Sequence, residues 1–293
     1  MNVITETARK FEFPAEAAEY LGECFQKMIA TDGVLDKLYA AMDILFCGED
    51  NSYTDLLQEI ADATGIHRYT VDMVFLLLSA KPLEYLYLRQ GLPMQMYLDS
   101  MADLRYKLFE CQKMHGKWGT FVTPWFPGFY RLQRYTFGRL EYDVTTSTEE
   151  YKDVLKPGDL MLSCHIPSSG PLLEDAVKDS LRQAYRFFQD KNMLPSNGKL
   201  VVRCMSWLLY PPILEKLDDN TNMKKFYRLF DIVDQGPHEQ NHDFWRVFYV
   251  PYSEEALQTV PVRTRLERVL VEHLKSGEKM GAGKGFLVVD ENY

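Results

Sequence analysis

One short segment of the chain, SCHIPSSGPL at residues 163–172, combines residue types that could do chemistry. Its histidine, His165, can take up or release a proton near neutral pH. Ser168, Ser169 and Gly170 follow, where an apolar run gives way to an amphipathic one. A strand, turn and helix in this order would direct backbone N–H groups at the helix start toward an anion. The segment therefore predicts either a phosphate-binding turn beside a reacting group, or only a capped helix start with a core histidine.

A second segment, HEQNH at residues 238–242, matches the H-E-x-x-H pattern of zinc sites. That chemistry needs both histidines one turn apart on a well-packed helix, with the glutamate as base. Here Gly-Pro precedes the segment and the aromatic run DFWRVFYV follows it, which indicates a hairpin tip between two strands. We therefore expect solvated histidines and no metal ion at this position.

Residues 55–78, DLLQEIADATGIHRYTVDMVFLLL, have the helix, turn and helix order of a DNA-reading helix-turn-helix. A recognition helix presents basic or amide side chains to phosphates and bases. The second helix here offers His67 and Arg68 and then becomes apolar. Residues 1–116 also carry a net charge of −8, which would repel a phosphate backbone. We expect a buried second helix and no nucleic-acid partner, which leaves a DNA-binding regulator as a less favoured alternative.

The two halves of the chain differ in their hydrophobic pattern. Up to Gly116, apolar residues recur at intervals of three and four, which predicts an acidic helical bundle. Beyond it, WGTFVTPWFPGFYRLQRYTFGRLEYDVTT predicts two or three strands. Further strands are predicted in LMLSCHI, KLVVRCMSWLL, FDIVDQ, DFWRVFYV and GFLVVD, and helices in PLLEDAVKDSLRQAYRFFQD, PPILEKL, NMKKFYRLF and VRTRLERVLVEHLKSG. The expected fold class is α/β (α+β), with a helical domain over residues 1–116 and a mixed-sheet domain over residues 117–293.

The sequence also bears on the compartment. It contains no run of about 18 apolar residues that could span a bilayer, and its start is too polar for a secretory signal. We therefore expect a cytoplasmic protein without a membrane partner. The five cysteines lack C-x-x-C spacing and indicate reduced thiols, most of them in the core.

Four stretches of the second half carry a resemblance. They are RLQRYTFGRLEYD at 131–143, HIPSSGPL with DSLRQAYRFF within 165–188, CMSWLLYPPILEKL with NTNMKKFYRLFDIV within 204–233, and TRLERVLVEHLKSG with GAGKGFL within 264–287. In this order the chain resembles the two-domain GNAT-like acyltransferase family, in which a helical N-terminal domain precedes a GNAT-like acyltransferase domain. It departs from that pattern in two ways. The glycine-containing pyrophosphate signature is absent from residues 165–172, and Met205 stands where a histidine is expected.

The resemblance implies acyl transfer from acetyl-CoA or another acyl-CoA to an amine of a small molecule or peptide. This reaction needs a base for the ammonium proton, donors for the developing oxyanion and an acid for the thiolate. Glu141, in GRLEYD, and His165 are the candidate bases. Ser206 and Tyr210 are the candidates for protonating the thiolate. No metal cofactor is expected.

The same resemblance assigns the coenzyme contacts. The backbone amides of Ser168, Ser169 and Gly170 would hold the pyrophosphate. Trp207, by its residue type, is expected to pack in the core, with a second use as a wall of the acyl or pantetheine channel. The chain is thus expected to be an acyl-CoA-dependent N-acyltransferase. The alternative is a catalytically inactive module of the same fold that binds a ligand or a partner. Met205 and the missing signature favour the module, whereas the two candidate bases favour the enzyme.

Overall fold

The computed structural model describes residues 2–48 and 50–293, which form two compact units. The first unit ends at Thr136 and the second begins at Phe137. Residues 117–136, which the hydrophobic pattern groups with the second domain, therefore lie in the first unit.

The first unit is helical, as the sequence predicts. Its helices are α1 Val3–Lys10, α2 Ala15–Ile29, α3 Val34–Cys47, α4 Tyr53–Thr64, α5 Arg68–Arg89, α6 Met94–His115 and α7 Pro127–Tyr130. The hydrophobic pattern misses α1, which begins where the Asn2 side chain accepts a hydrogen bond from the Thr5 backbone N–H. Across the described parts of the chain, no helix combines the length and apolar composition needed to cross a membrane.

Helix α5 is the second helix of the segment that resembles a helix-turn-helix. Val71, Met73, Val74 and Phe75, in its first half, have no exposed surface. The single charged side chain in that stretch, Asp72, is 4% exposed. The prediction that this helix is buried is confirmed, and these residues do not form a surface that could read bases.

The stretch WGTFVTPWFPGFYRLQRYTFGRLEYDVTT is predicted to contain two or three strands, and it contains two, both after residue 133. Its first part, WGTFVTPWFP, contains no strand. A 3₁₀ turn at Thr123–Trp125 and helix α7 pack against the bundle instead. The Tyr130 hydroxyl donates to the Leu76 carbonyl at 2.6 Å. Phe126 and Phe129 are fully buried. Aromatic residues are enriched in strands, but here the same residue types fill a helical core.

A mixed six-stranded sheet is present, as predicted, and it belongs to the second unit except for residues 134–136 of its first strand, which come before the unit boundary. Its strands are β1 Arg134–Phe137, β2 Leu140–Thr146, β3 Leu160–His165, β4 Leu200–Ser206, β5 Asp231–Pro237 and β6 Gly281–Val289. They lie in the order β1-β2-β3-β4-β6-β5. Strands β3 and β4 are parallel, whereas β2 with β3, β4 with β6 and β5 with β6 are antiparallel.

Helices flank this sheet. They are α8 Glu174–Asp190, α9 Pro211–Leu214, α10 Asn222–Tyr227, α11 Trp245–Phe248, α12 Glu254–Thr259 and α13 Arg265–Lys275. Helix α8 covers one face, where the Ser180 hydroxyl lies 2.9 Å from the hydroxyl of Tyr142 on β2. On the opposite face, Tyr151 from the β2–β3 connection stacks on Phe286 of β6. Arg203 of β4 is paired with Phe286 and therefore projects from this opposite face.

The run DFWRVFYV is helical, so its prediction as a strand is wrong. A 3₁₀ turn at His242–Phe244 leads into α11. Phe244 and Phe248 are four residues apart, and their ring centroids lie 4.4 Å apart. That spacing places both rings on one side of a helix. Phe244 joins a hydrophobic core with α9, α12 and α13, which explains why the segment folds back rather than pairing with the sheet.

Candidate active site

The candidate site lies where three strands meet at one edge of the sheet. Strands β3 and β4 are parallel and end there, and the antiparallel β2 begins there. Glu141 of β2 is paired with His165 of β3. Directly paired residues project from the same face, so the structure brings the two candidate bases together.

An aspartate that the sequence analysis does not single out completes this pair. The Asp143 Oδ2 atom lies 2.8 Å from Nε2 of His165. Asp143 is two residues after Glu141 and therefore projects from the same face of β2. About a quarter of each side chain in the Asp143–His165 pair is exposed, while Glu141 is 1% exposed. Alternate residues of a strand share a face, so the predicted strand GRLEYD already implied that Asp143 lies on the same face as Glu141.

The Asp143–His165 pair has the geometry of an oriented general base. When Nε2 carries a hydrogen and donates it to Asp143, the lone pair of the neutral ring lies on Nδ1. A carboxylate in this position holds the imidazole in one tautomer and stabilises the imidazolium that forms. The arrangement can therefore take a proton from a substrate nitrogen.

Charged side chains continue along the same face of the sheet. The Glu149 carboxylate pairs with Lys284 of β6 and lies 3.9 Å from Arg203 of β4. Met205, two residues after Arg203, projects from this face and is 72% exposed. The side chain at the position where the resemblance leads us to expect a histidine is thus directed at solvent.

The turn after β3 is held by an arginine from the β1–β2 connection. The Arg139 guanidinium donates to the carbonyls of Pro167 and Pro171 at 3.1 Å and to that of Gly170 at 2.6 Å. Gly170 has φ +119°, a conformation that side chains with a Cβ rarely adopt. Three carbonyls that accept from one guanidinium fix the turn.

The serines of this turn do not cap α8, contrary to one expectation. Leu173 is the N-cap residue and makes no side-chain capping hydrogen bond. The Ser169 hydroxyl oxygen is buried without a hydrogen-bond partner among the described residues. The capped-helix interpretation of SCHIPSSGPL is therefore wrong in its main feature, since the N-cap position is held by Leu173 and not by a serine.

A small groove opens beside the start of α8. It has a volume of about 160 Å³ and is lined by Leu172, Glu174, Val177, Lys225, Phe226, Arg228 and Leu229. Lys225 and Arg228, from α10 and the residue that ends it, bring two cations to this groove. Glu174 accepts ion pairs from Lys178 and Lys225, which lower the pKa of its carboxyl.

The other predicted site residues lie beyond β4. The Ser206 hydroxyl accepts a hydrogen bond from the Leu208 backbone N–H at 3.2 Å and begins a 3₁₀ turn. Tyr210 is 5% exposed and packs in the core with α9 and α13, and Trp207 packs against that core. Burial, followed by Glu278, raises the pKa of Tyr210. Ser206 and Met205 alternate along β4, so Ser206 projects from the face opposite to His165.

The cysteines near the site are core residues. Cys164 and Cys204 face each other on β3 and β4 and are buried. A hydrogen bond between their thiols, followed by burial, raises the pKa of Cys164 well above its usual range. A thiol with a raised pKa is a poor nucleophile at neutral pH. The prediction that these cysteines belong to the core is confirmed.

Comparisons with known families match both halves of the chain. Residues 3–132 match the N-acyltransferase N-terminal domain, and residues 134–287 match the GNAT-like C-terminal domain. A comparison with curated proteins finds no match.

Several solved structures share the fold. One is an acyltransferase in complex with decanoyl-CoA and teicoplanin, 22% identical, with a TM-score of 0.74 over 97% of this chain and 87% of that chain. A second, with CoA and 10C-teicoplanin, is 21% identical with a TM-score of 0.74 and the same coverage. A third, with decanoyl-CoA, is 23% identical with a TM-score of 0.71 over 97% and 86% of the two chains.

Proposed function

The chain belongs to the two-domain GNAT-like acyltransferase family, and on that basis we propose that it transfers an acyl group from acyl-CoA to an amine. The observation that carries the proposal is the Asp143–His165 pair at the end of β3, directly before the turn that Arg139 holds. A base and a turn suited to an anion thus follow each other within six residues. The acceptor would be a small molecule or a peptide.

In the proposed reaction the acceptor nitrogen attacks the thioester carbonyl. A C–N bond forms, the C–S bond breaks, and Nδ1 of His165 takes the proton that the nitrogen loses. Asp143 orients His165 and stabilises its charged form. Ser206 and Tyr210 stay the candidates for protonating the CoA thiolate, although Ser206 projects from the face opposite to His165 and Tyr210 packs in the core. Burial raises the pKa of Tyr210, which makes its hydroxyl a weaker proton donor than that of an exposed tyrosine.

We place the coenzyme pyrophosphate at the backbone amides of Ser168, Ser169 and Gly170, with Trp207 beside the acyl or pantetheine chain. Backbone N–H groups at the start of a helix attract anions. Lys225 and Arg228 line the adjoining groove. They pair there with Glu174 and Asp219, so a phosphate would compete with these carboxylates for the two cations. Charge-assisted hydrogen bonds from such side chains suit phosphate groups. This arrangement would replace the missing glycine signature with a turn fixed by an arginine.

A calorimetric titration tests this placement. We expect CoA and decanoyl-CoA to bind the protein, and the double variant Lys225→Ala, Arg228→Ala to bind both about tenfold or more weakly. A hydrogen bond to a charged group contributes about 1.5–3 kcal/mol, and a factor of ten corresponds to about 1.4 kcal/mol. Arg186→Ala, an exposed change on α8, is the matched control and should leave the affinity unchanged. Equal affinity in all three proteins would contradict the placement.

A second prediction concerns Arg139. We expect Arg139→Ala to weaken CoA binding about tenfold, because the three carbonyls that it holds would no longer fix the turn. Arg139→Lys should recover little of this loss, since an ammonium group cannot reproduce the planar fork of a guanidinium. Calorimetry with both variants measures the effect. Unchanged affinity in Arg139→Ala would show that the turn does not depend on this side chain.

Met205 supports a second candidate function. An exposed methionine on the face of His165 favours a module that binds acyl-CoA without turnover. The two functions differ in product formation. We expect amide formation from acetyl-CoA or decanoyl-CoA and an amine acceptor, measured by release of the CoA thiol. Saturable binding of acyl-CoA without thiol release from any acceptor would support the module.

A further inference from the structure

Three side chains after β5 converge in a way that the sequence pattern does not predict. One potential ligand atom from each of His238, His242 and Asp243 lies within 4.8 Å of the other two. The imidazole rings are stacked, with centroids 4.3 Å apart and planes inclined by 14°. The expectation of solvated histidines holds for His242, which is 62% exposed, whereas His238 is only 20% exposed. The expected hairpin tip between two strands is wrong, because a 3₁₀ turn and helix α11 follow β5. The third member of the group is Asp243, and not Glu239 of the H-E-x-x-H pattern.

Two of the three distances in the group are close to those between ligands of one metal ion. The Asp243 Oδ2 atom lies 3.3 Å from Nδ1 of His238 and 3.7 Å from Nε2 of His242. Two ligands about 2.0–2.1 Å from a tetrahedral zinc ion are about 3.3 Å apart. The ligand nitrogens of the two histidines lie within 4.8 Å of each other in stacked rings. His242 is 62% exposed, so its ring is free to turn out of the stack and direct a lone pair at the same ion.

One nitrogen atom of the group lacks a hydrogen-bond partner among the described residues. Nδ1 of His238 is buried and hydrogen-bonds to no described residue, although it faces the Asp243 carboxylate. A buried polar atom without a partner is costly, and a metal ion would supply the missing interaction. Imidazole nitrogen and carboxylate oxygen together suit zinc and the neighbouring transition metals.

The protein holds this segment in place from both sides. The His238 backbone N–H donates to the Met280 carbonyl at 2.8 Å, and the Asn241 side chain accepts from the Met280 N–H at 2.9 Å. Phe244, next to Asp243, is fully buried. His238 and Asp243, at the two ends of the segment, are therefore held by Met280, the residue before β6, and by the core.

Asp243 is also oriented by a partner outside the group. Nε of Arg246, one helical turn later, donates to Oδ1 of Asp243 at 2.7 Å. This leaves Oδ2 as the atom directed at both imidazoles. Metal-binding carboxylates commonly have such a supporting hydrogen bond, and its loss typically costs about 10- to 100-fold in metal affinity.

We propose that His238, His242 and Asp243 form a binding site for a divalent transition metal ion of the zinc class, with solvent completing the coordination. The site follows β5, three strands away from the His165 strand in the sheet order. It is independent of the acyl-transfer proposal. A bound ion would cross-link His238 to His242 and Asp243. Because it would bind only the folded chain, it would raise the free energy of unfolding.

Titration of the purified full chain with Zn²⁺ and Co²⁺ tests the site. We expect both ions to bind at a 1:1 ratio, Co²⁺ to give a visible absorption spectrum, and Zn²⁺ to raise the melting temperature. His242→Ala removes an exposed ligand without disturbing the core, and should weaken Zn²⁺ binding at least tenfold. Arg246→Ala should weaken it about tenfold. Mg²⁺ should not compete, because imidazole is a poor ligand for it.

His115→Ala, which removes an exposed histidine from the first unit, is the matched control and should bind Zn²⁺ as the unchanged protein does. Absence of a 1:1 complex, or equal Zn²⁺ affinity in His242→Ala and His115→Ala, would overturn the proposal. Neither result would bear on CoA binding, which is measured separately with metal chelated.

Discussion

The variant His165→Gln is expected to lose about 10²–10⁴-fold in kcat for acyl transfer while it binds CoA as the unchanged protein does. A positioned general base contributes a factor of this size. Glutamine keeps a polar side chain at a position that is about a quarter exposed, so the sheet should tolerate it. Steady-state kinetics with an acyl-CoA and an amine acceptor, together with calorimetry, separate the loss of turnover from a loss of binding.

Two further variants distinguish the possible bases. Asp143→Asn should lower kcat and change its pH profile, because the amide cannot stabilise the imidazolium as a carboxylate does. If His165→Gln retains most of the activity and Glu141→Gln loses it, Glu141 is the base and the assignment to His165 is wrong. His115→Ala serves as the control, since it removes an exposed imidazole from the first unit.

The second large effect concerns a glycine of β6. Gly283→Ala should lower the free energy of unfolding by about 3 kcal/mol, because overpacking a tight site costs energy of this size. A Cβ at this position would overlap the Leu209 carbonyl oxygen, which belongs to the backbone and cannot move aside as a side chain can. Gly283 is paired with Ser206 at the end of β4, so we expect CoA affinity to fall as well.

Gly236→Ala is the matched control for this prediction. Gly236 lies on the neighbouring strand β5 and pairs with Ala282, and the space that its Cβ would occupy has no other atom within 4 Å. We expect its stability to the denaturant guanidinium chloride to match that of the unchanged protein. Equal denaturation midpoints for Gly283→Ala and Gly236→Ala would contradict the close approach of Leu209 to β6.

Local patterns were sufficient for much of the fold. Apolar spacing of three and four predicts the bundle up to α6, and the order of strand, turn and helix around His165 predicts β3 and α8. These signals are local because a helix or strand buries one face at a fixed period. The same reasoning failed for WGTFVTPWFP and DFWRVFYV. Their aromatic residues suit strands and helical cores equally, and only their packing partners decide between the two.

Some features of the candidate site could likewise be predicted from the sequence, and others could not. The sequence by itself determined the family resemblance, the candidate bases Glu141 and His165, and the burial of Cys164 and Cys204. These follow from residue type and from position within one element. Tertiary structure alone decided which groups meet across elements.

The strand register of β2 on β3 placed Asp143 against His165, and the β1–β2 connection carried Arg139 to the carbonyls of the turn. Folding back of the segment after β5 brought Asp243, and not Glu239, to the two histidines. Each of these contacts joins side chains through the pairing or packing of whole elements. Their distances therefore depend on long-range geometry that no periodicity in the sequence records.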